Sequence, residues 1–377
     1  MKAWIISSAL SLAICAAGCS QQPAASQNQS QSVAQGGPPS SSPSAVAQGS
    51  PSPGANANVK VYRGSLNDRG LEMRLVREGQ RVSGFYDYDG IDQDIGLEGR
   101  AGEKGKFELA EREASGKQTG KWSCGPETEG QWGEDFTCKW TKPDGRGEIF
   151  VALYGQASFA PGLRVAPKVV ENRKVGVRAS YPQIVAEGGA QLSVAAAHFN
   201  RLLEEKAGKP ARDFGKELDP SPNLYLHTDY NVLAATDDLV SVEVSFDSFE
   251  GGAHPNFSYD AVTYDLRADR EIKLEELFKP GSAYVKTIGA YCAADIKKRE
   301  SESAGEGAKQ GAPDSQDESL VSREELEQIS AFAVTPKGLM IYYELPHVIA
   351  ALDRNFVPYS AIKDKLKPDS PVARLAQ

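Results

Sequence analysis

Apolar and polar positions along the chain follow two different periods. In its first half the period is two. Leu71, Met73 and Leu75 alternate with Glu72 and Arg74, Ile95 and Leu97 with Gly96 and Glu98, and Phe107 and Leu109 flank Glu108. Alternation of this kind predicts strands with one buried face. Turn signals separate the runs: Glu78-Gly79-Gln80 before a strand over 82–88, and Asp89-Gly90 after it. Further strands are expected at 119–122, 130–132, 136–140 and 148–153. Short strands at such regular spacing predict an antiparallel β-barrel of about eight strands over 59–155.

From 165 onward the pattern is mixed. After a Gly- and Pro-containing connector at 156–167, a strand is expected over 175–185, interrupted at Pro182. Leu192, Ala196, Phe199, Leu202 and Leu203 stand at helical spacing within 190–205, and Gly208 and Pro210 are expected to stop that helix. Strands follow at 225–233, 239–249 and 259–266. The second alternates cleanly from Leu239 to Phe246, which predicts one buried and one wet face. A helical turn at 274–278, a helix at 283–299, a capping box at Ser322-Arg323-Glu324-Glu325, a hairpin turning on Pro336-Lys337-Gly338 and a short helix at 358–366 complete the series. The expected fold is β-rich plus α/β: the barrel, then an α+β domain over 165–370 with helices packed on an antiparallel sheet.

The beginning of the chain carries a different signal. Lys2 precedes a mostly apolar run over 5–16, the length of a signal-peptide core and too short for a transmembrane helix. Ala16-Ala17-Gly18-Cys19-Ser20 then resembles the bacterial lipobox, in which cleavage precedes a diacylated cysteine. The resemblance implies a signal peptide over 1–18 and a lipid on Cys19. Ser20 and Gln21 are not the acidic residues that retain lipoproteins at an inner membrane, so in a two-membrane bacterium the expected location is the outer membrane, facing the periplasm. Residues 20–58 contain no charged residue and are dominated by Ser, Gln, Pro, Ala, Gly and Asn. Such a segment cannot bury enough apolar surface to offset its ordering entropy, and is expected to act as a disordered tether.

Charge and cysteine content narrow the chemistry. The net charge is −9, which disfavours nucleic acid as a partner. Residues 161–377 carry 26 basic and 33 acidic residues, and nine of the acids fall within 300–327 against Lys309 and Arg323. That segment offers a field for a basic partner. Cys124 and Cys138 flank a loop of 13 residues, and an exported chain meets oxidising conditions, so a disulfide is expected between them. A zinc site there would lack further Cys or His ligands. Cys292, in a helical apolar stretch, is expected to be a buried free thiol.

The four histidines, His198, His227, His254 and His347, form no metal-binding spacing, and no cofactor is expected. Ser360-Ala361-Ile362-Lys363 matches S-x-x-K without its companion motifs and is taken as chance. Trp122, Trp132 and Trp140 all lie in the barrel region, where they either fill the interior or line a cavity; filling is the expectation. The pieces Tyr86-Asp87-Tyr88, Gly116 through Trp122 and Gly130-Gln131-Trp132 resemble small lipocalin-like or avidin-like barrels in pattern.

The second half carries a more specific resemblance. Asp237-Asp238-Leu239-Val240-Ser241 leads to Ser248-Phe249-Glu250-Gly251-Gly252-Ala253-His254-Pro255-Asn256, then Tyr264-Asp265-Leu266 and Leu274-Glu275-Glu276-Leu277-Phe278. Phe332 through Tyr342 and Val357-Pro358-Tyr359 follow. In this order they resemble the extracellular domain of the RsiV anti-sigma factor, also found in the PdaC peptidoglycan deacetylase. Pro346 to Arg354 departs from the family pattern. The resemblance implies helices on an antiparallel sheet and, from RsiV, binding to lysozyme. The candidate partner-binding residues are Gly251, Gly252 and His254 of the motif and the acids Glu300, Glu302, Glu306, Asp314, Asp317 and Glu318.

Together these readings describe a lipid-anchored envelope protein that is not an enzyme and binds a partner, with lysozyme or another basic envelope protein as the expected occupant. The alternatives are an enzyme acting on cell-wall glycan and a purely structural lipoprotein. Substituting Cys19→Ala should move the protein from the membrane to the soluble fraction. Unchanged membrane association after that substitution would refute the lipid site.

Overall fold

The computed structural model describes residues 59–127, 134–218, 223–303 and 321–375, with the side chains of 300–303, 347, 348 and 351 outside that description. Eight antiparallel strands close on themselves: β1 (Lys60–Leu66), β2 (Arg69–Glu78), β3 (Arg81–Tyr88), β4 (Ile95–Ala101), β5 (Phe107–Arg112), β6 (Gln118–Pro126), β7 (Phe136–Thr141) and β8 (Ile149–Gln156), which pairs back onto β1. Each strand hydrogen-bonds its sequence neighbour, so β1–β8 is the one non-local seam. The expected strand at 130–132 lies outside the described residues. β1 itself carried no alternation signal.

The barrel interior is filled. Tyr62, Leu71, Met73, Leu75, Val82, Phe107, Leu109 and Phe136 are buried within it, with Phe107 and Tyr62 edge-on to Phe136 at 4.9 and 5.5 Å. One carboxylate, Glu111, lies inside and is held by neutral donors. Tyr86 Oη (2.9 Å), Trp122 Nε1 (3.0 Å) and Trp140 Nε1 (2.8 Å) donate to its Oε2, and Thr119 Oγ1 (2.7 Å) donates to Oε1. Trp122 and Trp140 therefore serve as packing and as donors. Cys124 and Cys138 face each other across β6 and β7 and are bonded, while Cys292 is free and buried. Burial pushes the Cys292 thiol up to about 11, so it stays protonated at neutral pH.

Beyond the barrel, β9 (Leu163–Asn172), β10 (Val177–Ala186), β11 (Tyr225–Ala235), β12 (Leu239–Phe249), β13 (Asn256–Asp265) and β14 (Arg270–Glu271) form a sheet ordered β14-β13-β12-β11-β10-β9. The sheet is mixed rather than antiparallel, because β10 and β11 run parallel over Val177–Ala179. β9 begins inside the expected connector. β10 runs unbroken through Pro182, which faces Pro167 of β9. Two opposed prolines fit only a non-hydrogen-bonded pair, whose N–H positions point away from each other, and on its other side β10 has by then left β11.

α1 (Val194–Leu203) is capped by Ser193 Oγ, which accepts from Ala196 N at 3.1 Å, and packs Ala196, Phe199 and Leu203 with Tyr181, Ile184 and Val242. The expected stop at Gly208 does not occur. A π-helical turn (Glu204–Gly208) continues into α2 (Lys209–Asp213), which carries Pro210. Gly208 serves close approach: a Cβ there would sit 2.7 Å from the Tyr181 ring.

α3 (Tyr284–Ser303) and a three-stranded sheet of β15 (Ala331–Val334), β16 (Gly338–Tyr342) and β17 (Arg354–Pro358) enclose the last core, followed by α4 (Tyr359–Ile362). The expected helix at 358–366 begins one residue later and is preceded by the unpredicted β17. The Ser322–Glu325 capping box forms, with bonds of 2.8 and 3.2 Å, but heads only a single 3-10 turn, Glu325–Glu327. β12 has no wet face over its first half: Ser241 and Glu243 are as buried as Val240 and Val242. The β15–β17 side covers them, and Ser241 Oγ bonds Thr263 Oγ1 (2.7 Å) and accepts from Val334 N (2.8 Å).

The barrel is pinned to the mixed sheet by Arg63 of β1. Its Nη2 donates to Asp89 Oδ2 at 2.6 Å and to Asp229 Oδ1 at 2.7 Å, and its guanidinium lies 3.9 Å over the Tyr230 ring. Burial alone would lower the Arg63 pKa, but Asp229 and Asp89 hold it well above the ordinary value. Gly70 makes room: a Cβ there would meet Asp89 Oδ2 at 2.4 Å. Where β10 and β11 diverge, the barrel's exit fills the wedge. Ala157 N donates to Val232 O (2.8 Å), and the Gln156 side chain bonds Val232 N (2.6 Å) and Asn231 Oδ1 (2.9 Å). Arg63→Met strands Asp89 beside Asp229 and should lower unfolding free energy by about 3–5 kcal/mol. Urea titration checks this; a loss below about 1 kcal/mol, the scale of an exposed pair, would show that the pin is not a buried one.

Candidate functional site

The outer face of β8 and the β11–β13 face bound a cleft of about 310 Å³. β8 contributes Phe150, Ala152 and Tyr154; the sheet contributes Asp229, Asn231, Glu243, Ser245, Phe257 and Tyr259; Arg354 enters from β17. A second cleft of about 320 Å³ adjoins it, lined by Arg178, Ser180, His227, Thr228 and Asp247, and the two share Ser65, Asp229, Ser245 and Phe257. Phe150 is 70% exposed, and Tyr154 and Phe257 are each 42% exposed. Exposed aromatic rings clustered on one cleft are a feature of binding surfaces rather than of a solvated face.

The charged groups of the cleft are already partnered. Glu243 accepts from Arg354 Nε (2.8 Å) and Nη2 (3.2 Å), from Asn231 Nδ2 (2.7 Å) and from the Tyr342 hydroxyl. Burial alone would lower the Arg354 pKa, but the Glu243 carboxylate holds it well above the ordinary value. Burial, and then Glu243, push the Tyr342 phenol far up, so it remains a donor. Asp229 is raised by burial and pulled back by Arg63. Its side chain keeps 40% exposure, so water limits that upward push. Three donors, Arg63 Nε, Arg63 Nη2 and Tyr230 N, converge on its Oδ1. Behind the cleft Asp135 is raised by burial, against the opposing N–H of Gly155 at 2.9 Å.

The motif residues stand elsewhere. Gly251 and Gly252 have φ of 99° and 108° in the exposed turn between β12 and β13, the tight turn that two glycines permit. His254 is exposed on the same turn, with Nδ1 3.0 Å from Pro255 O, and lines neither part of the cleft. Glu300 and Glu302 fall in the last turns of α3; Glu306, Asp314, Asp317 and Glu318, like Cys19, lie outside the described residues. His198 pairs with Asp269 at 2.7 Å, and Tyr264 Oη donates to the same carboxylate at 2.8 Å, a surface arrangement without a nucleophile. Ser360 is exposed on α4. Among the described residues, no group of three or more His, Cys, Asp or Glu could hold a metal ion, and no helix is long and apolar enough to cross a membrane.

Reading the chain for chemistry passed over the cleft, although a signal exists. Residues 149–154, Ile-Phe-Val-Ala-Leu-Tyr, are apolar at both parities. A barrel strand with a filled interior and a wet exterior should alternate, so the outward Phe150 and Tyr154 mark a face built for contact.

Residues 275–361 match the family model described as a protein of unknown function, DUF3298. Two solved structures are similar over much of their own length. A DUF3298 family protein of Pseudomonas aeruginosa PAO1 is 14% identical with a TM-score of 0.35, covering 55% of this chain and 93% of its own. A member of the family from Bacteroides fragilis NCTC 9343 is 15% identical with a TM-score of 0.36, covering 57% and 98%. No curated protein matches.

Removing the partners of Glu243 tests how the cleft floor is held. Arg354→Ala leaves a buried carboxylate with neutral donors alone and should cost about 3–5 kcal/mol. Tyr342→Phe removes one hydrogen bond and should cost about 1–2 kcal/mol. Denaturant titration gives the ranking; equal costs would show that Arg354 acts through its stem rather than its charge.

Proposed function

We propose that the chain is a non-catalytic binding protein of the cell envelope, anchored by a lipid on Cys19 and presenting its folded part to a soluble partner. The observation that carries the non-catalytic reading is the pairing of both carboxylates of the first cleft with arginines. Asp229 is tied to Arg63 and Glu243 to Arg354, and His254 stands on a separate turn, which speaks against either of these carboxylates working with His254 as a proton-transfer pair. The lipobox resemblance and the uncharged segment over 20–58 support the envelope location. In a two-membrane bacterium the outer membrane, facing the periplasm, is the proposed site.

The occupant proposed for the second half is a basic protein of the lysozyme type. Support comes from the resemblance to the RsiV extracellular domain and from the nine acids within 300–327. Such a field raises the association rate more than it slows dissociation. The Cys19→Ala chain, titrated calorimetrically with several lysozymes, should release heat at low salt, with an on-rate that falls steeply as screening shortens to about 8 Å at physiological ionic strength. Absence of both heat and lysozyme inhibition, with a folded chain, removes the basic-partner reading. Release of soluble sugar from purified peptidoglycan by the chain alone would overturn the non-catalytic one.

A further inference from the structure

We infer that the two adjoining clefts between the barrel and the mixed sheet form one groove for a neutral oligosaccharide. The inference rests on the groove alone and does not depend on the basic-partner reading. Three features of the groove select this chemistry.

The first is the backbone. One wall is a closed barrel, which has no free edge, and β12 is hydrogen-bonded on both sides. The edge of β11 left open by β10 is taken by Gln156 and Ala157. Apart from β13, whose side away from β12 is paired by β14 only at Tyr264 and Asp265, an extended peptide therefore finds no ladder to join, and recognition along the rest of the groove runs through side chains.

The second is charge. Arg63 is shared between Asp89 and Asp229, and Arg354 is committed to Glu243. An anionic ligand in the first cleft would have to break one of these pairs, whereas an uncharged one leaves them intact.

The third is the combination of flat apolar faces with oriented polar groups. Phe150, Tyr154 and Phe257 present exposed rings to the groove, suited to the C–H face of a pyranose. Because Arg63 Nε, Arg63 Nη2 and Tyr230 N converge on Oδ1 of Asp229, its Oδ2 is held in place as an acceptor for a sugar hydroxyl. Each cleft has the size of a small-molecule site, about 300 Å³ or more.

The test titrates the soluble Cys19→Ala chain by calorimetry with tetra-N-acetylchitotetraose, cellotetraose and maltotetraose. At least one should bind with a dissociation constant below about 1 mM. Phe150→Ala and Phe257→Ala should each weaken it about fivefold, the scale of one lost ring contact. Ser360→Ala, exposed on α4 and lining neither cleft, should leave it unchanged, and the melting temperature of Phe150→Ala should match that of the parent chain. Lysozyme titrations of the same variants separate the two readings, since the ring substitutions should leave any such binding intact. No binding of the three tetrasaccharides at about 10 mM, or binding indifferent to both ring substitutions, overturns the inference. So does displacement of a bound tetrasaccharide by a lysine-rich peptide, which would place a cationic ligand in the groove.

Discussion

One guanidinium shared by two carboxylates sets the geometry of the second half as well as the first. Arg63 lies 26 residues from Asp89 and 166 from Asp229, and its side chain is 1% exposed. A buried cation with a single acid partner would be balanced in charge but short of acceptors. With two acids and the Tyr230 face beneath it, its donors are satisfied on several sides. The arrangement fixes the outer surface of β1 against β11, and with it the distance between β8 and β13 that defines the groove. It also occupies the wedge from which β10 turns away after only three paired residues of β11.

The mixed sheet shows how a polar stripe can be buried without loss. Ser241, Glu243 and Thr263 occupy the face that the β15–β17 side covers, and each is satisfied: Ser241 with Thr263 and Val334, Glu243 with Arg354, Tyr342 and Asn231. Such a network specifies register, because sliding β12 by one residue would bring Val242 and Val244 to these partners and leave them unpaired. Arg354 is thus both a strut for the sheet and a wall of the groove.

The strands whose faces differ in polarity were legible in the sequence, and so was the disulfide, because Cys124 and Cys138 lie in neighbouring strands of one small unit. β17 was not, since Arg354-Asn355-Phe356-Val357-Pro358 owes its conformation to pairing with β16. Pro182 and Gly208 were misleading for a common reason. Each was read as a breaker, but Pro182 stands where no N–H is required and Gly208 where Tyr181 presses close. The Leu239–Phe246 alternation correctly gave a strand and wrongly gave a wet face, since periodicity reports which residues share a face and not what covers it. The groove was out of reach for a related reason: its walls come from strands as far apart in sequence as β1, β8, β10, β11, β12, β13 and β17, and only their folding brings them together. The motif turn at Gly251 and Gly252 was recognisable, yet the structure separates it from the groove carboxylates.

The nearest-neighbour order of the barrel has a kinetic consequence. Strands β1 to β8 pair in sequence, so loop closures are short until the single seam between β1 and β8. The mixed sheet instead needs β10 to find β11 across α1 and α2, a slower search on contact-order grounds. Synthesis delivers the barrel first, and domains that fold as units do so in the order in which they emerge. The barrel would then stand complete with Arg63 and Asp89 in water, and the later strands would assemble on a surface already shaped. The last charge to arrive, Asp229, is the one that dehydrates the pair, which makes docking of the two halves a late and cooperative step rather than a loose association of finished parts.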